Sequence, residues 1–223
     1  MNAIEQYVAP TSLAQALDCL SRGEVTVLAG GTDLMPQSAG GKVKLRPTLM
    51  NIRRVPELTG IARDGDAIRI GALVTVTEMM RDALVREHLP VLVEAGDHFA
   101  SDQIRNAATL GGNVNNASPA GDLLVPLLVL GAEVELAGKP NGAIATRQLP
   151  LAEFFVGPGR TRRQPHELLT AVRVPLPPRP AQPLPRLSRG KRRRLSRGLG
   201  IAAPADAVRR RRQHDRRDRG AGH

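Results

Sequence analysis

The chain has 223 residues, a formal net charge of +11 from 32 Lys plus Arg against 21 Asp plus Glu, and one cysteine, Cys19. One cysteine excludes an intrachain disulfide, a CxxC zinc site and the four thiolates of an iron–sulfur cluster, so electron transfer through a metal needs another chain. The charge suggests nucleic acid or an anionic membrane as partner, but residues 1 to 176 carry 17 basic and 18 acidic side chains while residues 177 to 223 carry 15 and 3.

In chain order, Leu13, Ala16, Leu17 and Leu20 share one face behind Thr11 or Ser12, which predicts a short amphipathic helix over Thr11 to Leu20. Val25 to Ala29 reads as a buried strand that stops at Gly30-Gly31, and Thr48 to Ile52 as a second strand after the Gly40-Gly41 break. Leu58 to Ala62 and Ala67 to Leu73 flank Asp64-Gly65, a hairpin signal. Val76, Met79, Met80 and Leu84 predict a helix over Thr75 to Glu87, and Pro90 separates it from a second helix over Val91 to Phe99. Thr109 to Asp122, with its glycines and asparagines, reads as irregular, and Leu123 to Leu130 as a buried helix. Glu133 to Ala137, Thr146 to Leu149 and Leu168 to Val174 are strand candidates. The elements interleave without a regular βα period, which predicts an α+β body in two lobes dividing near Pro56: residues 1–56 and 57–176.

The apolar runs are far shorter than the roughly 20 residues of a membrane span. The first residues lack a basic stretch followed by an apolar one, so a soluble cytoplasmic protein is the expectation. The four aromatics, Tyr7, Phe99, Phe154 and Phe155, are too scattered for the stacking platforms of single-stranded nucleic-acid binders.

Two glycine loops carry the chemistry. Leu28-Ala29-Gly30-Gly31-Thr32-Asp33-Leu34 leaves a strand through a diglycine whose consecutive N–H groups can hold an oxyanion, with the Thr32 hydroxyl as a further donor. A plain tight turn explains the same residues, and the loop is neither GxGxxG nor GxxxxGK[ST]. Ala108-Thr109-Leu110-Gly111-Gly112-Asn113 repeats the theme ahead of Ser118-Pro119 and Asp122. Two nests suit a diphosphate, and Asp122 could accept from ribose hydroxyls or simply sit favourably near a helix start. Asn106 and Asn113 could equally stabilise turns.

These motifs, together with Ile104-Arg105-Asn106, Ser118-Pro119-Ala120-Gly121-Asp122-Leu123 and the closing Glu167-Leu168-Leu169-Thr170 to Pro175, resemble in order the FAD-binding medium subunit of the molybdenum hydroxylases, the family of xanthine dehydrogenase and aerobic carbon monoxide dehydrogenase. The resemblance spans about Ile4 to Pro177 and implies a two-lobed FAD-binding fold of the vanillyl-alcohol-oxidase (PCMH) type that grips an extended FAD. It implies cofactor contacts from Val27, Leu28, Ala29, Gly30, Gly31, Thr32, Asp33 and Leu34 around the diphosphate, and a second set of donors from Thr109, Leu110, Gly111, Gly112 and Asn113. It also implies Asp122 at the nucleotide, with Phe99 and Leu169 in the flavin pocket unless they are core residues.

The partners implied are an iron–sulfur small subunit and a molybdopterin large subunit, with electrons passing through FAD to NAD, oxygen or a quinone. The chain is then an FAD-dependent oxidoreductase subunit that places and tunes its flavin. No catalytic base and no metal ligand is expected. His88, His98 and His166 read as surface or cap histidines.

Beyond Pro178 the sequence departs from the family's pattern, with an Arg- and Pro-rich run where the aromatic and basic continuation and the C-terminal domain are expected. Of residues 177 to 223, 12 are apolar and 6 of those alanine, too few for a core, so a disordered basic tail is expected. Three readings compete: a polybasic arm for nucleic acid or acidic lipid, a dock for an acidic subunit, and a shifted reading frame in a GC-rich gene. The abrupt end of the pattern favours the last. The alternative function is a non-enzymatic remnant or binding module that uses this tail on nucleic acid.

Overall fold

The computed structural model describes residues 4–176. The basic tail, and every expectation about it, lies outside the described residues. β1 (Gln6–Val8), β2 (Val25–Leu28) and β3 (Thr48–Asn51) form a parallel three-stranded sheet in the order β1-β3-β2. Between β1 and β2 runs α1 (Leu13–Ser21), which starts where its periodicity predicts: the Ser12 hydroxyl accepts the Gln15 N–H at 3.3 Å, and Ala16, Leu17 and Leu20 turn inward. β1 and the short helix α2 (Leu34–Ala39) go beyond the sequence reading. β1 is too brief to show an alternation, and α2 buries no residue, so neither has an apolar pattern to find.

The second sheet is antiparallel and has five strands in the order β4-β5-β10-β6-β7: β4 (Ile61–Asp64), β5 (Ala67–Gly71), β6 (Glu133–Gly138), β7 (Ala145–Pro150) and β10 (Leu168–Pro175). β4 and β5 make the Asp64-Gly65 hairpin expected. Beside this sheet lie α3 (Val76–Arg81), α4 (Ala83–His88), α5 (Pro90–Asp97), α6 (Asp102–Arg105), α7 (Leu110–Asn116), α8 (Leu124–Val129) and α9 (Leu151–Phe154), of which α4, α7 and α9 touch its strands and the others pack on neighbouring helices, followed by the hairpin β8 (Phe155–Gly157) and β9 (Arg160–Thr161).

Four expectations are corrected. β2 is half-buried throughout rather than buried, and the helix expected over Leu123 to Leu130 buries Leu124, Pro126 and Leu127 but exposes Val125, Leu128 and Val129. The single helix over Thr75 to Glu87 is two, because Asp82 adopts an extended conformation and its Oδ1 accepts the Leu84 and Val85 N–H groups at 2.9 and 3.2 Å, capping a new helix. The irregular stretch from Thr109 contains α7. Its glycines and asparagines are poor helix formers, but Thr109 caps it and Leu110 and Val114 are fully buried, so packing overrides propensity.

The larger core joins Ile68 and Ile70 of β5, Val134 and Leu136 of β6 and Val172 and Val174 of β10 to the helices, with Phe154 as its largest fully buried side chain. The smaller core sets α1 against Met50, Ile52, Val55 and Leu58, and also against Leu73, Ala137 and Leu168, so the two sheets share it. The proposed division near Pro56 falls at the one-turn 3-10 helix Pro56–Leu58 between the sheets, and residues 4–176 belong to one compact unit.

A register shift between Leu169 and Ala171 interrupts the pairing of β10 with β6. The extra residue, Thr170, turns its hydroxyl to the Glu135 carboxylate at 2.6 Å. Leu169 and Val172 therefore both reach the larger core despite an odd spacing. Arg69 on β5 bonds the same carboxylate at 2.8 Å. Burial alone would push Glu135 up, but these bonds and the charges of Arg69 and Arg173 hold it below the usual carboxylate range.

Candidate functional site

A cleft of about 820 Å³ lies between the loop after β2, the start of α7 and the segment from β9 to β10. Of the cofactor contacts that the resemblance implies, all line it except Leu28, Leu110 and Asp122. Leu110 is in the core, Leu28 ends β2, and Asp122 is an exposed residue just ahead of α8. His88, His98 and His166 are not on the cleft wall; His98 and His166 are exposed and His88 is half-buried.

The first glycine loop has the features of an oxyanion nest. The backbone N–H groups of Gly30, Gly31, Thr32 and Asp33 make no hydrogen bond among the described residues, although Gly31 and Asp33 carbonyls accept from Met35 and Gln37 at the start of α2. Gly31 has φ +76°, a conformation that strains residues with a Cβ. Gly30 is needed for another reason: a Cβ there would lie 2.0 Å from the Ala107 carbonyl oxygen. This close approach brings the two glycine motifs together across nearly 80 residues of sequence. The Asn116 Nδ2 donor reinforces it with a 2.6 Å bond to Asp33 Oδ2.

The second diglycine works differently from the expected nest. Gly111 N–H donates to Ala72 O at 2.9 Å, and Gly112 N–H to Thr109 Oγ1 at 3.1 Å. Leu110 and Asn113 N–H groups are engaged by Val74 O and Thr109 O. These amides build and anchor α7. Gly111 lets the helix press onto the end of β5, since a Cβ would meet Ala72 at 2.7 Å.

What α7 offers the cleft is side-chain amides. Asn113 Oδ1 and Asn115 Oδ1 are buried acceptors without a partner, although Asn115 Nδ2 bonds Gly111 O at 2.9 Å. Two orphaned carbonyl oxygens in one polar cleft fit a ligand that brings N–H donors, because a buried unpaired acceptor costs about 1–3 kcal/mol. Sequence reasoning took Asn113 from the motif but missed Asn115 and Asn116, whose roles depend on α7 being helical. It also missed Arg163.

Electrostatically the wall is mixed. Arg46 pairs with exposed Glu24 at 3.1 Å. Beside the cleft, the Glu167 carboxylate accepts Arg147 Nε and Nη2 at 2.6 and 2.8 Å and the Gln164 N–H at 2.7 Å. Burial alone would raise Glu167, yet these bonds and the Arg147 charge hold it below the usual carboxylate range. Among the described residues no group of three or more His, Cys, Asp or Glu could hold a metal ion, and no helix is long and apolar enough to cross a membrane.

Free loop amides and orphaned amide oxygens on residues lining one cleft suit a binder of a large, polar, anionic ligand. The wall is also a fit for FAD, which brings both diphosphate oxygens and ring N–H groups. Residues 2–177 match the family described as FAD binding domain in molybdopterin dehydrogenase, and the chain belongs to that family.

The xanthine dehydrogenase FAD-binding subunit of Escherichia coli O157:H7 is 35% identical over 176 residues, covering 78% of this chain and 58% of that protein. The carbon monoxide dehydrogenase medium chain of Hydrogenophaga pseudoflava is 33% identical over 176 residues, covering 76% and 58%. Among solved structures, quinoline 2-oxidoreductase from Pseudomonas putida 86 superposes with a TM-score of 0.73 at 28% identity, over 77% of this chain and 59% of that one. Cu,Mo-CO dehydrogenase does so with a TM-score of 0.73 at 32% identity, over 80% and 61%. The chain thus spans about 58% of the length of these sequence relatives.

Proposed function

We propose that this chain holds FAD as part of the medium-type subunit of a molybdenum-containing hydroxylase or dehydrogenase. It then passes electrons from iron–sulfur clusters on a small partner subunit, fed by a molybdopterin large subunit, to NAD, oxygen or a quinone. The observation that carries this reading is the run of unbonded amides from Gly30 to Asp33 on the wall of a cleft of about 820 Å³. Bound FAD supplies a ring that takes up and releases electrons singly or in pairs.

The chain's own part is placement. Gly30 to Asp33 N–H groups, with the Thr32 hydroxyl, bind diphosphate oxygens through charge-assisted hydrogen bonds. Asn113 and Asn115 receive N–H donors through their orphaned oxygens. Phe99 and Leu169 provide apolar wall that excludes water from the ring, and Val27, Ala29 and Leu34 frame the loop. Thr109, Gly111 and Gly112 act indirectly by fixing α7, while Leu28, Leu110 and Asp122 are off the cleft wall and are assigned no contact.

The test is titration of the purified full chain with FAD, read by flavin absorbance and fluorescence quenching. Saturable one-to-one binding is expected. A chain that leaves millimolar FAD unperturbed refutes the reading.

A further inference from the structure

Four charged residues of the cleft wall, Glu24, Lys44, Arg46 and Arg163, are singled out by neither the glycine motifs nor the family resemblance, and of these Arg163 alone is half-buried rather than exposed. It follows β9 on the strand-free approach to β10, and its Nη1 donates to the carbonyl oxygens of Gln164 at 3.1 Å and Glu167 at 2.7 Å. A guanidinium has five N–H donors. The three on Nε and Nη2 have no partner among the described residues, and these nitrogens are not among the sealed, unsatisfied atoms of the structure. The residue lines the cleft.

The nearest acid does not neutralise it. The Glu167 carboxylate is gripped by Arg147 through two bonds and by the Gln164 N–H, and only its main-chain oxygen reaches Arg163. Burial pushes the Arg163 guanidinium down, with only partial compensation from the Glu167 charge. A positive charge in this state is expensive unless an anion completes it.

We propose that Arg163 is a cofactor-binding residue, a fixed positive charge on the cleft wall whose unbonded N–H fork takes an electron-rich oxygen of bound FAD. The inference rests on the FAD reading above. Two kinds of FAD oxygen share this chemistry, those of the diphosphate and the carbonyls of the flavin ring. Either way the charge adds to binding rather than to proton transfer.

The experiment compares wild-type full chain, Arg163→Leu and Arg163→Lys by titration with FAD, ADP and riboflavin, and by melting with and without FAD. Arg163→Leu should bind FAD at least tenfold more weakly, with Arg163→Lys between it and wild type. Loss of ADP affinity in step identifies the diphosphate as the partner. Loss for riboflavin with ADP unchanged identifies the ring, and the flavin midpoint potential then falls in Arg163→Leu.

Since Nη1 also tethers two carbonyls, Arg163→Leu could melt earlier without FAD. If FAD then raises its melting temperature as much as it does for wild type, the residue is structural and the proposal is overturned. Wild-type affinity in Arg163→Leu overturns it as well. A wild-type chain without FAD affinity sinks the functional reading, and this inference with it.

Discussion

Replacing Gly30 by alanine probes the contact that brings the two glycine motifs together. The added Cβ would lie 2.0 Å from Ala107 O, 2.9 Å from Ala107 C and 3.2 Å from Ala108 Cα, all backbone atoms that cannot swing aside. Carbon–oxygen contacts settle at about 3.3 Å, so the loop must retreat from the Ala107 backbone by roughly 1.3 Å. Overpacking of this kind costs about 1–3 kcal/mol. For a domain of this size that is a fall of roughly 2–12 °C in melting temperature.

The retreat also displaces the Gly30 and Gly31 amides relative to α7. Loss of one charge-assisted bond, about 1.5–3 kcal/mol, weakens FAD roughly 10- to 100-fold. Differential scanning calorimetry and FAD titration read the two effects. Gly40→Ala is the comparator: its φ is −79° and the nearest atom to a new Cβ is Pro36 O at 3.3 Å, so both readouts should stay near wild type. If Gly30→Ala matches wild type in melting and in FAD affinity, the close approach does not organise the cleft and the reasoning fails.

Asn113→Ala removes a buried oxygen that lacks a partner in the free protein. Stability without FAD should hold within about 1 kcal/mol while FAD affinity falls; the opposite pattern would mark Asn113 as a structural residue. Glu167→Gln tests the pair with Arg147, and at neutral pH should cost about 1–3 kcal/mol by urea unfolding. The Glu167 carboxyl is held below its usual range in the folded chain. Its stabilisation is therefore full above the unfolded value of about 4.3 and is lost as pH falls through the folded one. The variant's stability should decline less steeply than wild type below about pH 4.3, and parallel acid curves would remove Glu167 from the account.

Where the local pattern is strong, the elements were legible in the sequence: α1 from its apolar stripe, β2 from its run into Gly30-Gly31, though it is only half-buried, and the β4–β5 hairpin from Asp64-Gly65. The family, and with it the cofactor, was legible because the glycine motifs and the Glu167 to Pro175 strand keep their order along the chain. α7 was not, since its helix depends on buried Leu110 and Val114 and on the Thr109 cap against the preference of five glycine and asparagine residues. The same reversal changed the role of the second diglycine from anion donor to packing contact.

By itself the sequence determined that residues 1 to 176 form a near-neutral α+β body and that the excess of positive charge lies beyond it. It also determined that a single cysteine cannot supply the four thiolates of an iron–sulfur cluster. Which donors and acceptors face the cleft was decided only by the tertiary structure. Gly30 and Gly111 are written alike, each half of a diglycine, yet one loop keeps its amides free while the other's are engaged by Ala72 and Thr109. The bonds from the Leu110 and Gly111 N–H groups to Val74 and Ala72, tens of positions away, have no trace in local pattern, and together with the Thr109 cap they separate the packing loop from the binding one.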